Sequence, residues 1–97
     1  VHDIYGFSPG EYELLYEAQG GRCAICGISR GISKMLAVDH DHSTGIARGL
    51  CCSVCNKFLG FVRDNPEAFR RGFEYLLDPP ALRILGPRIH QDLRPAA

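Results

Sequence analysis

Ninety-seven residues, 45% hydrophobic and 23% charged, suit one globular domain and argue against a disordered chain, a collagen-like repeat or a charged coil. No stretch approaches the ~20 apolar residues that span a bilayer, no signal-peptide pattern is visible, and Val1 in place of Met points to a trimmed chain. Eleven basic and eleven acidic residues cancel, which excludes a wholly basic nucleic-acid footprint, yet residues 21–63 alone carry four net positive charges (Arg22, Arg30, Lys34, Arg48, Lys57 and Arg63 against Asp39 and Asp41).

In chain order, Ser8-Pro9-Gly10-Glu11 reads as a helix start, with Ser8 as N-cap, Pro9 at the first helical position and Glu11 closing a capping box. Leu14, Leu15 and Ala18 supply its apolar stripe and Gly20-Gly21 its end, so a helix is expected over residues 8–21. Gly27 to Lys34 is a polar loop, and Met35-Leu36-Ala37-Val38 a short buried strand. His42-Ser43-Thr44-Gly45 is a turn, and residues 46–50 form the returning strand of a hairpin. Val54, Phe58, Leu59 and Phe61-Val62 fit one helix with Gly60 as a weak point. Another helix starts at Asp64-Asn65-Pro66-Glu67, capped by Asp64 or Asn65, has Ala68, Phe69, Phe73, Leu76 and Leu77 as its apolar face, and stops at Asp78-Pro79-Pro80. Residues 79–97 read as an arm or tail whose Ile84, Leu85, Ile89 and Leu93 could dock on a partner.

Five cysteines are an odd number for a disulfide framework. Cys23-Ala-Ile-Cys26 and Cys52-Ser-Val-Cys55 are two C-x-x-C knuckles, the spacing that lets four thiolates reach one zinc at ~2.3 Å. Disulfides and a redox pair are the alternatives, but a thioredoxin-like C-x-x-C wants a βαβ pattern that is absent. Cys51 could replace Cys52 as a ligand; Cys52 is preferred because it restores the second knuckle, leaving Cys51 as a small apolar side chain. Zinc bound here would contribute directly to folding.

Between the knuckles lies Val38-Asp39-His40-Asp41-His42, and Asn56 follows the last knuckle cysteine. A carboxylate beside an imidazole suits phosphodiester hydrolysis, since hard oxygen ligands hold Mg²⁺ and a neutral imidazole takes a proton from water. Neighbours on a strand face opposite ways, so Asp39 and His40 can share a site only if the strand ends or bends there.

The ordered set of Cys23-x-x-Cys26, Asp39-His40-Asp41-His42-Ser43-Thr44-Gly45 and Arg48-Gly49-Leu50-Cys51-Cys52-x-x-Cys55-Asn56 resembles the recombination endonuclease VII family of HNH, or ββα-metal, nucleases, over roughly residues 8–77. The resemblance implies a small zinc-stabilised α+β domain with a ββα-metal, treble-clef-like core and flanking helices. It would occupy residues 1–97 as a single domain: helix 8–21, zinc-stapled core 22–63, helix 64–78 and tail 79–97. It further implies a structural zinc on Cys23, Cys26, Cys52 and Cys55, and a catalytic Mg²⁺ or Mn²⁺ on Asp39 and Asn56. His40 would be the general base and His42 a hold on the scissile phosphate. The expected activity is DNA cleavage to 5′-phosphate and 3′-hydroxyl ends, in a bacterial or phage-infected cytoplasm. Activity should then fall as pH drops through the ~6.5 typical of imidazole.

Arg22, Arg48, Lys57 and Arg63 are candidate phosphate contacts, each also readable as a solvated surface charge. Two departures stand out: Cys51 replaces a common Leu, and Leu59 sits where the family's namesake has an acidic residue. Much of that namesake's helical extension, used to dimerise on branched DNA, is missing, so junction resolution is not carried over. The alternative function is a non-catalytic zinc module that binds nucleic acid or protein. The short chain suggests work as a homodimer or in a larger phage complex. His2 and His90 lie outside the motif and take no role.

Overall fold

Pro9-Gly10 cannot continue a helix backwards, because Gly10 sits at φ 87°, in the left-handed region. In the computed structural model, which describes residues 4–95, helix α1 therefore spans Glu11–Ala18 and begins later than the Ser8 expected. Half of the expected capping box survives: the Glu11 carboxylate accepts from the Ser8 backbone N–H at 2.6 Å. His2, set aside on sequence grounds, lies outside the described residues.

Strand β1 (Ala37–His40) pairs antiparallel with β2 (Ala47–Cys51), and helix α2 (Ser53–Phe61) follows at once. The first strand thus sits two residues later than its apolar run suggests. Backbone pairing, not hydropathy, sets its limits, and it takes in Asp39 and His40. Asp39 pairs with Gly49 but His40 with Ala47, so a β-bulge leaves Arg48 as the extra residue.

Backbone contacts divide the chain into two units, Val1–Asp64 and Asn65–Ala97. In the first, the buried apolar core among the described residues is Cys23, Leu36, Leu50 and Cys51, flanked by Tyr12, Leu15, Tyr16, Val38 and Leu59. Helix α1 is tied on by polar groups. Tyr12 donates to the Leu36 carbonyl at 2.7 Å and Tyr16 to that of Arg30 at 2.8 Å, their rings stacked 6.5 Å apart. Just past α1, the Gln19 amide acts as a short extra strand: it accepts from Leu50 N–H at 2.9 Å and donates to Leu50 C=O at 3.0 Å. Leu50 is wholly buried, so these bonds satisfy groups that water cannot reach.

In the second unit, α3 (Pro66–Leu77) starts as read, and of the two candidate caps Asn65 is the one used: its side chain accepts from Glu67 N–H at 3.0 Å. Its apolar face is largely open, with Phe73, Leu76 and Leu77 exposed. The expected tail contains a short helix, α4 (Pro80–Leu85), and a 3-10 turn at Gln91–Leu93.

Replacing Gln19 by Ala should leave the buried Leu50 N–H without a partner, while the Leu50 carbonyl keeps its bond from the Ala24 N–H at 3.0 Å. The expected loss is ~1–3 kcal/mol of unfolding free energy, read by urea denaturation of the metal-loaded protein. An unchanged midpoint would show that water replaces the amide.

Candidate metal centre and adjoining acid–imidazole cluster

Cys23 and Cys26 lie in the loop after α1, Cys52 is the N-cap of α2, and Cys55 sits on its first turn. The four sulfurs lie within 4.8 Å of one another, with Cys26 and Cys52 at 4.0 Å. A tetrahedral ion with ~2.3 Å bonds needs sulfurs ~3.8 Å apart, so a small contraction would complete the shell.

Backbone N–H groups point at the sulfurs: Ile25 to Cys23 at 3.4 Å, Ile28 to Cys26 at 3.5 Å and Cys55 to Cys52 at 3.4 Å. Burial pushes the Cys23 thiol up, but N–H donors from Cys52, Cys26 and Ile25 outweigh it and bring the group down to about 6. N–H groups of Ser29 and Ile28 lower Cys26 as well. Cys55 moves the other way, raised by burial and by its sulfur neighbours. Four crowded sulfurs cannot all ionise unless a cation joins them, so the donor set fits a thiolate-seeking ion such as zinc. Cys51 stands outside the cluster, buried in β2 with its thiol pushed up to about 11 by burial.

Beside this centre, Asp39 is 4% exposed and gripped by the Arg48 fork, Nε to Oδ2 at 2.7 Å and Nη2 to Oδ1 at 3.1 Å. The bulge at Arg48 accompanies this placement of an acid and a guanidinium together. The same Nη2 reaches Asp64 Oδ1 at 3.1 Å, and Asp64 Oδ2 lies 3.3 Å from His42 Nδ1. The His42 ring is 5.2 Å from that of His40, which in turn lies 6.5 Å from Tyr5. Asp39, Arg48, Asp64, His42 and His40 therefore form one unbroken chain of contacts. Arg48 and then His42 hold the Asp64 carboxyl below its ordinary range, and the two aspartates raise Arg48. Asp41 turns away to the hairpin loop, where N–H groups of Thr44 and Ser43 bond its carboxylate and lower it.

Asn56 is half-buried on the first turn of α2, and its amide has no hydrogen-bond partner among the described residues. Its helix neighbour three residues on, Leu59, lines a cavity of about 240 Å³ together with Asp39, Arg48 and Cys51.

Sequence reading missed two partners in the cluster. Arg48, a phosphate candidate, also neutralises Asp39; opposite charges across a hairpin are the available signal. Asp64 was only a helix cap. Lys57 and Arg22 show no ion pair among the described residues.

The family model described as recombination endonuclease VII matches residues 1–78. A curated relative, the Gene 59 protein of Mycobacterium phage L5, is 56% identical over 86 residues, covering 88% of this chain and 52% of the relative. The Gene 59 protein of Mycobacterium phage D29 is 52% identical over the same shares. The chain thus spans about half the length of these curated relatives. No solved structure matches it at a significant level. Among the described residues, no helix is long and apolar enough to cross a membrane.

Purified protein should carry about one zinc per chain, a content kept by Cys51→Ala and lost by Cys26→Ser; elemental analysis reads both. Chelation should unfold the first unit, because its core is too small to stand alone. Cys23 falls from 9.0 as a free thiol to about 6 when folded. It therefore favours the fold at alkaline pH, and that contribution is lost as pH falls through about 6. Zinc retention measured against pH should show a matching acid limb.

Proposed function

The chain belongs to the recombination endonuclease VII family, and from that premise we propose that it is an HNH-type, metal-dependent endonuclease acting on DNA phosphodiester bonds. The observation that carries this reading is the contact chain from Asp39 through Arg48, Asp64 and His42 to His40. Neighbours on a strand face opposite ways, and the bulge lies on β2, where the extra residue Arg48 reaches Asp39; the link from there to His40 runs through Asp64 and His42.

Asp39 and Asn56 would hold the Mg²⁺ or Mn²⁺ ion, and the residues fit. Both offer hard oxygen donors, the Asn56 amide is uncommitted, and a carboxylate keeps lone pairs beyond those Arg48 uses. When bound, such an ion supplies Lewis-acid stabilisation of the charge that develops on the phosphate. His40, whose ring lies against those of Tyr5 and His42, accepts the proton of the attacking water. His42 steadies the scissile phosphate. The cut leaves 5′-phosphate and 3′-hydroxyl ends. One chain has one such site, so nicking is the elementary event and a double-strand cut takes a homodimer, a larger phage complex or two successive events. Arg22 and Lys57 contact the backbone phosphates.

The second reading, a non-catalytic zinc module, is favoured by one observation: Arg48 engages both oxygens of Asp39. Plasmid nicking with Mg²⁺ separates the two. The endonuclease reading expects divalent-dependent nicking by the wild type and a loss of about 10²–10⁴-fold in His40→Ala. Equal cleavage by both proteins removes His40 as the base, and no turnover with intact DNA binding leaves the module.

A further inference from the structure

Helix α2 ends in an unusual way. The Arg63 N–H bonds the Gly60 carbonyl at 3.1 Å and the Asp64 N–H bonds that of Leu59 at 2.9 Å, the paired bonds of a Schellman cap. Such a cap needs a left-handed residue and normally uses glycine. Here Arg63 has φ 55° and Asp64 φ 57°, two consecutive side-chain-bearing residues in that region. L side chains adopt that region at a cost in strain, so the surroundings must over-determine the turn. The turn carries the Asp64 carboxylate back to the hairpin, where both oxygens are used: Oδ1 by Arg48 at 3.1 Å and Oδ2 by His42 at 3.3 Å.

We propose that Asp64 is a positioning residue that fixes the tautomer and orientation of His42. The proposal rests on the endonuclease reading for its purpose, though not for its geometry. An ionised carboxylate only accepts hydrogen bonds, so the ring hydrogen sits on His42 Nδ1 and Nε2 is left turned away from Asp64 to meet a phosphate or its bound water. The His42–Asp64 pair is exposed, with side chains 65% and 24% accessible, and such a pair alone would hold loosely. Arg48 removes that freedom. Its fork is anchored on buried Asp39, and its Nη2 pins the other oxygen of Asp64. Asp64 thus transmits the order of the buried acid to an exposed imidazole that has no other hydrogen-bond partner among the described residues.

The test is the nitrogen chemical shifts of His42 by NMR in the zinc-loaded, DNA-free protein above the imidazole pKa, for wild type, Asp64→Asn and Asp64→Ala. The expected result is a protonated Nδ1 in the wild type and a shift toward the Nε2–H form in Asp64→Ala. Asp64→Asn, which keeps an acceptor oxygen, should lie between them. Zinc content shows that each variant is folded, and should Asp64→Ala fail to fold, the Asn variant carries the comparison. Identical shifts in wild type and the folded variants overturn the proposal. This readout stands even if the wild type cuts no DNA, so the two readings fail separately. Where nicking is present, Asp64→Ala should lower kcat about 10–100-fold with little change in KM, and in a His42→Ala background should add no further loss. A full multiplicative loss there means that Asp64 does not act through His42.

Discussion

Four sulfurs gathered from two distant stretches of chain are the constraint on which the first unit depends. Among the described residues its buried apolar core is Cys23, Leu36, Leu50 and Cys51, and two of those four are themselves cysteines. So little buried surface offsets only a small part of the entropy of ordering some sixty residues. An ion shared by Cys23, Cys26, Cys52 and Cys55 would join the loop after α1 to the start of α2. The hairpin between them would then be closed at its base. Everything else in the unit hangs from that closure, including the Gln19 amide clasped to Leu50 and the face that α2 turns to Asp39.

Electrostatics then organises the residues that the closure brings together. A carboxylate only 4% exposed must be paired, and Arg48 pairs it with a two-point fork made possible by the bulge in β2. The remaining edge of the guanidinium recruits Asp64, and Asp64 recruits His42. A single arginine thereby spreads order from a buried acid to the surface. It also sets a condition on chemistry at Asp39, because any ion bound there must share the carboxylate with Arg48 or displace it.

Most of the local structure was legible without coordinates. The hairpin, the helix after the second knuckle, and the Pro66 start with its Asp78-Pro79-Pro80 stop all follow from turn chemistry and periodicity acting over a few residues. Misreadings fell where two local signals competed. Ser8-Pro9 looked like a helix start, but Gly10 in the left-handed region postponed it to Glu11. Met35-Leu36 looked like strand, but pairing with β2 begins at Ala37.

The sequence by itself determined which four cysteines belong together, since knuckle spacing is a property of the chain and tetrahedral thiolate binding leaves few other uses for it. It also determined the family, because ordered motifs survive in one dimension. Only the tertiary structure decided that Arg48 belongs to Asp39 and that Asp64 belongs to His42. Those pairings depend on a one-residue bulge and on two left-handed residues at the end of a helix. Both are small backbone choices, settled by what the rest of the fold presses against them, and neither leaves a mark in residue order.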